Sequence, residues 1–352
     1  TRIGSGENRR SRIVASPIVA GGLTFTLDAM GQIAAVSRTG QVVWSRSLVP
    51  ADQRPDSGPG GGMALADGVL YATTGFGEVF AINPGSGQIR WRETLEAPIT
   101  APPVALGNRV YVVLRNDVGY ALNAANGAVE WRVLGSGGTG LIGGASPATD
   151  GRLVVFPFAS GEVLGVLARN GLTLWGTVVT GGRRELARNQ INDISGDPVI
   201  DGTAVYASNQ SGRTIRMDRD SGERLWTMAE GAYGPVWPVG GSLFFVSDSG
   251  ALVRAEAASG QVLWRRQLPE FFRNRGLFRD RDPVSAVPHF GPVLAGGRLW
   301  IASGDARLRA FSPESGNLLA EIELPAGAAS APAVAGGVLF VVTDDGWLHA
   351  FQ

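Results

Sequence analysis

A short turn closing on glycine, with tryptophan four residues further on, recurs along this chain and constrains its fold more than any other feature. It reads RTGQVVW (Arg38 to Trp44), SGQIRW (Ser86 to Trp91), ANGAVEW (Ala125 to Trp131) and RNGLTLW (Arg169 to Trp175). SGERLW (Ser221 to Trp226) and SGQVLW (Ser259 to Trp264) follow, and SGNLLA (Ser315 to Ala320) keeps the turn but ends on alanine. Self-similarity at a fixed spacing is the mark of a chain built from one repeated supersecondary unit.

A second signal precedes each turn: proline, a short apolar stretch, then Gly-Gly or Asp-Gly. Copies start at Pro17, Pro103, Pro147, Pro198, Pro235, Pro292 and Pro332, and Met63 holds the proline position in MALADG. Such turns join antiparallel strands because they tolerate positive φ, and proline fits the first residue of a strand. Each unit therefore reads as four short strands in about forty residues, the size of a propeller blade. The expected fold is all-β: an eight-bladed β-propeller of four-stranded antiparallel blades forming one domain over 1–352. The blades fall near 16–48, 62–95, 102–134, 145–179, 197–229, 234–268, 291–324 and 331–352.

Alternation along the tryptophan strand puts Val42 with Trp44, Ile89 with Trp91 and Val262 with Trp264. Val43, Leu174, Leu225, Leu263 and Leu319 occupy the other face, so both faces are expected to pack between neighbouring blades. The tryptophans read as packing between blades rather than as a cofactor stack, each burying on the order of 200 Å². The last unit stops at Gln352 without a tryptophan strand. A ring loses its edges only by closing, so residues 11–15 (SRIVA) are expected to supply the missing outer strand of the eighth blade.

Composition narrows the function classes. There is no cysteine, which excludes disulfide and thiolate sites. The histidines are His289 and His349 alone, too few for a histidine-rich metal centre. All 31 basic residues are arginine against 31 acidic ones, a balance unlike that of a general polyanion binder. Asp193 and Asp197 lack the spacing of a calcium loop, and GSGGTGLIGG (Gly135 to Gly144) lacks the lysine of a phosphate loop. No catalytic constellation assembles, so no enzyme activity, cofactor or metal is expected.

An even number of strands per blade puts every blade-to-blade linker on one face of the disc. Val49 to Gly62, Leu134 to Gly144, Thr180 to Gly196 and Pro269 to Gly291 are long, and long loops on a rigid scaffold are the usual seat of binding. Residues 265–281 carry six arginines (265, 266, 273, 275, 279 and 281) with Phe271, Phe272 and Phe278, a composition found at interfaces. The linker 181–197 is also charged, with Arg183, Arg184 and Arg188 ahead of Asp193 and Ser195.

The pattern A-(I/L)-N-x-x-x-G-x-x-x-W at Ala81 to Trp91 and Ala121 to Trp131 resembles the repeats of pyrroloquinoline-quinone-type propellers. Within that superfamily the chain resembles the BamB family, non-catalytic lipoproteins of the outer-membrane β-barrel assembly machinery. The resemblance implies a scaffold binding the POTRA domains of the barrel-inserting subunit BamA, and contact with nascent outer-membrane proteins. It also implies a lipidated cysteine upstream of Thr1 and a place on the periplasmic face of the outer membrane. Two linkers carry the family's contact. One matches Thr139, Leu141 and Ile142, with isoleucine where the family has arginine. The other matches Asp193 and Ser195, with serine in place of a second aspartate. A quinone-dependent dehydrogenase and a periplasmic peptide-binding propeller acting by strand addition are the alternative readings.

Overall fold

The structure, a computed structural model, describes residues 1–137, 144–179, 181, 193–272 and 286–352. Their strands form eight antiparallel sheets, seven of four strands and one of three, each with its strands in chain order. Blade 1 is typical, running through Ile18–Ala20, Leu23–Leu27, Gln32–Ser37 and Val42–Ser47. The sheets form the ring of an eight-bladed propeller. The helical content of the described residues is one short 3-10 turn, Pro55–Ser57, in the linker to blade 2.

The recurrent glycine is where one blade receives the blade before it. Gly40, Gly87, Gly127, Gly171, Gly222, Gly260 and Gly316 all lie at positive φ, between 67° and 80°. That region favours residues without a Cβ. At Gly87 a Cβ would also lie 2.6 Å from Trp44 of the preceding blade, and at Gly127 2.6 Å from Trp91. Each of these indole N–H groups then donates to a carbonyl in the blade that follows its own, for example Trp44 to Pro84 at 2.8 Å and Trp175 to Arg219 at 2.8 Å. A ladder irregularity falls one residue from each tryptophan pair, as between Ala35 and Val36 or Ala81 and Ile82. Bulges of this kind re-aim a side chain.

Burial follows the junctions rather than the individual sheets. Tyr71 and Trp91 of blade 2 pack with Val110 and Val112 of blade 3 in one cluster. Tyr111 of blade 3 packs with Val154 and Phe156 of blade 4 in another. The expectation that the other face of the tryptophan strand is covered does not hold. Val43, Leu225, Leu263 and Leu319 are 51, 48, 50 and 52% exposed. Blades diverge outwards from the axis, so at the rim only a side chain as long as tryptophan spans the gap.

The ring closes through the N-terminus, but not through residues 11–15. Thr1 to Ile3 run beside the last strand: Arg2 is bridged to Trp347, Ile3 N–H donates to Gly346, and Leu348 N–H donates to Thr1. Residues 11–15 make no ladder. Ser11, Ile13 and Ala15 are buried at 0, 2 and 3% exposure, so their alternation reports burial and not strand pairing. Ile3 and Ile13 share the cluster that seals blade 8 to blade 1. Thr1 also stands in for the missing tryptophan, its hydroxyl donating to the Gly40 carbonyl at 2.5 Å.

Candidate partner-binding cleft

Every four-stranded blade starts and ends on the same face, so the linkers gather there with the turns between second and third strands. Linkers are stitched to the next blade by isolated bridges, Ile99 to Leu114 and Ala232 to Ser247 among them. On this face a cleft opens where blades 3, 4 and 5 meet. Its walls include Thr100, Arg115, Asp117, Gly144, Ala145, Ala159, Asp193 and Ile194.

The local sequence explains each wall. Asp117 ends a turn at φ 59°, and its buried carboxylate accepts the amides of Ala159 at 2.8 Å and Ser160 at 3.2 Å in blade 4. Ala145 and Ile194, 5 and 1% exposed, pack in the cluster joining blades 4 and 5. The inner strand of blade 5, Ile194–Asp201, loses register between Ile194 and Gly196 and again before Val199. Asp197, in this irregular stretch, accepts the Ser146 amide at 2.7 Å. Burial pushes the Asp197 carboxyl up to about 6, against the lowering effect of the Ser146 hydrogen bonds.

The two linkers singled out from the sequence thus meet at their bases. Asp193 lies in the cleft wall, 7% exposed. Ser195 turns its hydroxyl to the Ala232 carbonyl at 2.7 Å, a tie towards blade 6. Thr139, Leu141, Ile142, Arg183, Arg184 and Arg188 lie outside the described residues. Sequence reasoning did not find Asp117, Arg115 or the Ser146–Asp197 bond. The available signal was a carboxylate directly before an opening proline, found in blade 5 alone.

The arginine-rich segment divides. Residues 273–281 lie outside the described residues. Arg266 donates to the carbonyls of Ser315 and Gly316 in blade 7, and Arg265 reaches the Ser249 hydroxyl. Phe271 and Phe272 are 51 and 42% exposed. His289 bridges the Ser303 hydroxyl at 2.7 Å and the Pro269 carbonyl at 3.0 Å, and burial lowers its pKa. The carbonyl can only accept, so His289 Nε2 carries the proton of that bond. Among the described residues no three His, Asp or Glu side chains gather as metal ligands, and no helix is long and apolar enough to cross a membrane.

The family described as outer membrane protein assembly factor BamB matches residues 29–266 and 255–352. Among individual proteins, outer membrane protein assembly factor BamB of Xanthomonas campestris is 29% identical over all of this chain and 84% of its own length. The Escherichia coli K12 protein of the same name is 24% identical, covering 99% of this chain and 87% of its own. The crystal structure of BamB from Moraxella catarrhalis superposes with a TM-score of 0.79 at 18% identity, over 100% of this chain and 99% of that one. At that identity the likeness carries the fold.

Proposed function

Because the chain belongs to the BamB family of outer membrane protein assembly factors, we propose that it serves that assembly as an accessory scaffold, without catalysis of its own. It works at the periplasmic face of the outer membrane, held by a lipid anchor attached upstream of Thr1. Its partner is the POTRA region of BamA, bound on the linker face at blades 3 to 5, and the nascent outer-membrane protein is the cargo it helps to deliver.

One observation supports this reading above the others. The bases of the linkers after blades 3 and 4 converge on one cleft, with Ala145 and Ile194 in one packed cluster. Thr139, Leu141, Ile142, Arg183, Arg184 and Arg188 belong to the same two linkers in sequence. An exposed Arg115 at the cleft adds the residue type favoured in protein interfaces. Rigid blades beneath long loops are how binding sites are usually mounted.

Purified BamA POTRA fragment is titrated against the wild type and against Leu141→Asp combined with Arg115→Glu, with folding checked by circular dichroism. A loss of about 2 kcal/mol or more in binding is expected if the cleft holds a hot spot. Equal affinity in the folded variant rejects the surface.

A further inference from the structure

We propose that Asp197 is a positioning residue: by holding the Ser146 amide, its carboxylate locks the bases of the two linkers together so that they present a single partner surface. This inference rests on the partner-surface reading above and names the group that organises that surface.

Both ends of the bond are stiff. Ser146 precedes Pro147 and Asp197 precedes Pro198, and a residue before proline is held in extended backbone. Ser146 is 5% exposed, and its amide meets the carboxylate at 2.7 Å across 51 residues of chain. The irregular register on either side of Gly196 turns Asp197 off the regular ladder and towards blade 4. Ala145 and Gly144 lie one and two residues before Ser146, and Ile194 and Asp193 three and four before Asp197, all in the cleft wall.

A carboxylate is an expensive choice for this tie. The residue before the opening signal is uncharged in every other copy, from Ser16 in blade 1 to Ala331 in blade 8. Neutral groups tie two other junctions, Thr73 to the Ala101 carbonyl at 2.8 Å and Ser195 to the Ala232 carbonyl at 2.7 Å, whereas Asp117 ties blade 3 to blade 4 through a carboxylate set in a turn rather than before an opening proline. Burial also works against the ionised form of Asp197. Departures from the local rule concentrate at functional sites, and an ionised acceptor makes a hydrogen bond roughly twice as strong as a neutral one.

Three variants of the full chain test the inference. Asp197→Ala removes the acceptor, and Asp197→Asn keeps an oxygen for the Ser146 amide. Ser146→Pro removes the donor from the other side. Amide hydrogen exchange at 144–146 and 193–196 is read alongside affinity for the POTRA fragment. Asp197→Ala is expected to raise Ser146 exchange at least about ten-fold and to weaken binding about ten-fold, with Asp197→Asn, a weaker neutral acceptor, recovering part of both. A folded Asp197→Ala protein with fast exchange at Ser146 and wild-type affinity overturns the inference. Should the alanine variant not fold, Ser146→Pro must weaken binding comparably, and wild-type affinity there overturns the inference equally. Leu141→Asp with Arg115→Glu separates the two readings. If that pair abolishes binding while Asp197→Ala does not, the positioning role alone fails. If neither affects binding, the cleft itself is the wrong surface.

Discussion

The six-membered ring of Trp44 lies over Gly87 of the next blade, where an added Cβ would be 2.6 Å away, and its N–H donates to the Pro84 carbonyl at 2.8 Å. The same pairing recurs as Trp91 on Gly127, Trp131 on Gly171, Trp175 on Gly222, Trp226 on Gly260 and Trp264 on Gly316. Each repeat therefore carries a donor half and a receiving half, and neither is complete without its neighbour.

Gly87→Ala tests the receiving half. The new methyl meets both a backbone φ of 69° and the indole, so a loss of about 2 kcal/mol or more is expected in urea unfolding. Gly107→Ala is the control, with φ at 60° but nothing within 4 Å of the added atom. It should cost about 1 kcal/mol, the backbone term alone. Equal losses in the two variants would mean that the indole contact contributes nothing.

Removing residues 1–3 tests ring closure. The deletion strips the last strand of its pairing with Thr1 to Ile3 and takes Ile3, 3% exposed, out of the seal between blades 8 and 1. Loss of one buried isoleucine costs about 2–5 kcal/mol, so the melting temperature should fall by several degrees. An unchanged melting temperature would show that the seal stands without those residues.

Asp197→Asn should stabilise the protein in a pH-dependent way. The Asp197 carboxyl is raised by burial from 3.8 to about 6, so the folded state holds its proton more tightly than the unfolded chain. Stability then declines as pH rises from about 4 to about 6, and the deficit persists at higher pH. Asparagine escapes it. After allowance for partial exposure, the variant should gain on the order of 1 kcal/mol above pH 6 and nothing near pH 4. Denaturant unfolding at pH 4.5 and 7.5 reads the difference, and a gain of the same size at both values contradicts the assignment.

Ala320→Trp should not repair the seventh blade. Blade 8 has three strands and Thr1 to Ile3 beside the third, so among the described residues no glycine turn of that blade receives the indole. A change within about 0.5 kcal/mol is expected, as for a surface substitution. A gain of about 2 kcal/mol would reveal a receiving site formed in some other way.

Much of the fold is readable from the chain. Repeats of Pro, Gly-Gly and Gly-x-x-x-Trp mark strand starts, turns and blade contacts because each residue type meets a local constraint: no amide hydrogen, positive φ, or a long flat side chain with one donor. The closing strand was misassigned for the same reason. SRIVA alternates as a strand does, and Ser11, Ile13 and Ala15 are buried, yet local alternation records burial and not hydrogen-bonded partners. Arg2, on the piece that does pair with Trp347, lies in TRIGS, which carries no strand pattern. The candidate site was legible by place, as two long linkers, but not by its organising bond.

The chain by itself determined the number of blades, their four-stranded plan and the role of the tryptophans, since these follow from contacts repeated at fixed spacing. Only the tertiary structure decided which terminal residues close the ring, that the rim leaves Val43 and Leu263 exposed, and that Asp197 reaches Ser146. These depend on where distant segments arrive once the ring is formed. A separation of 51 residues has no local propensity to announce it.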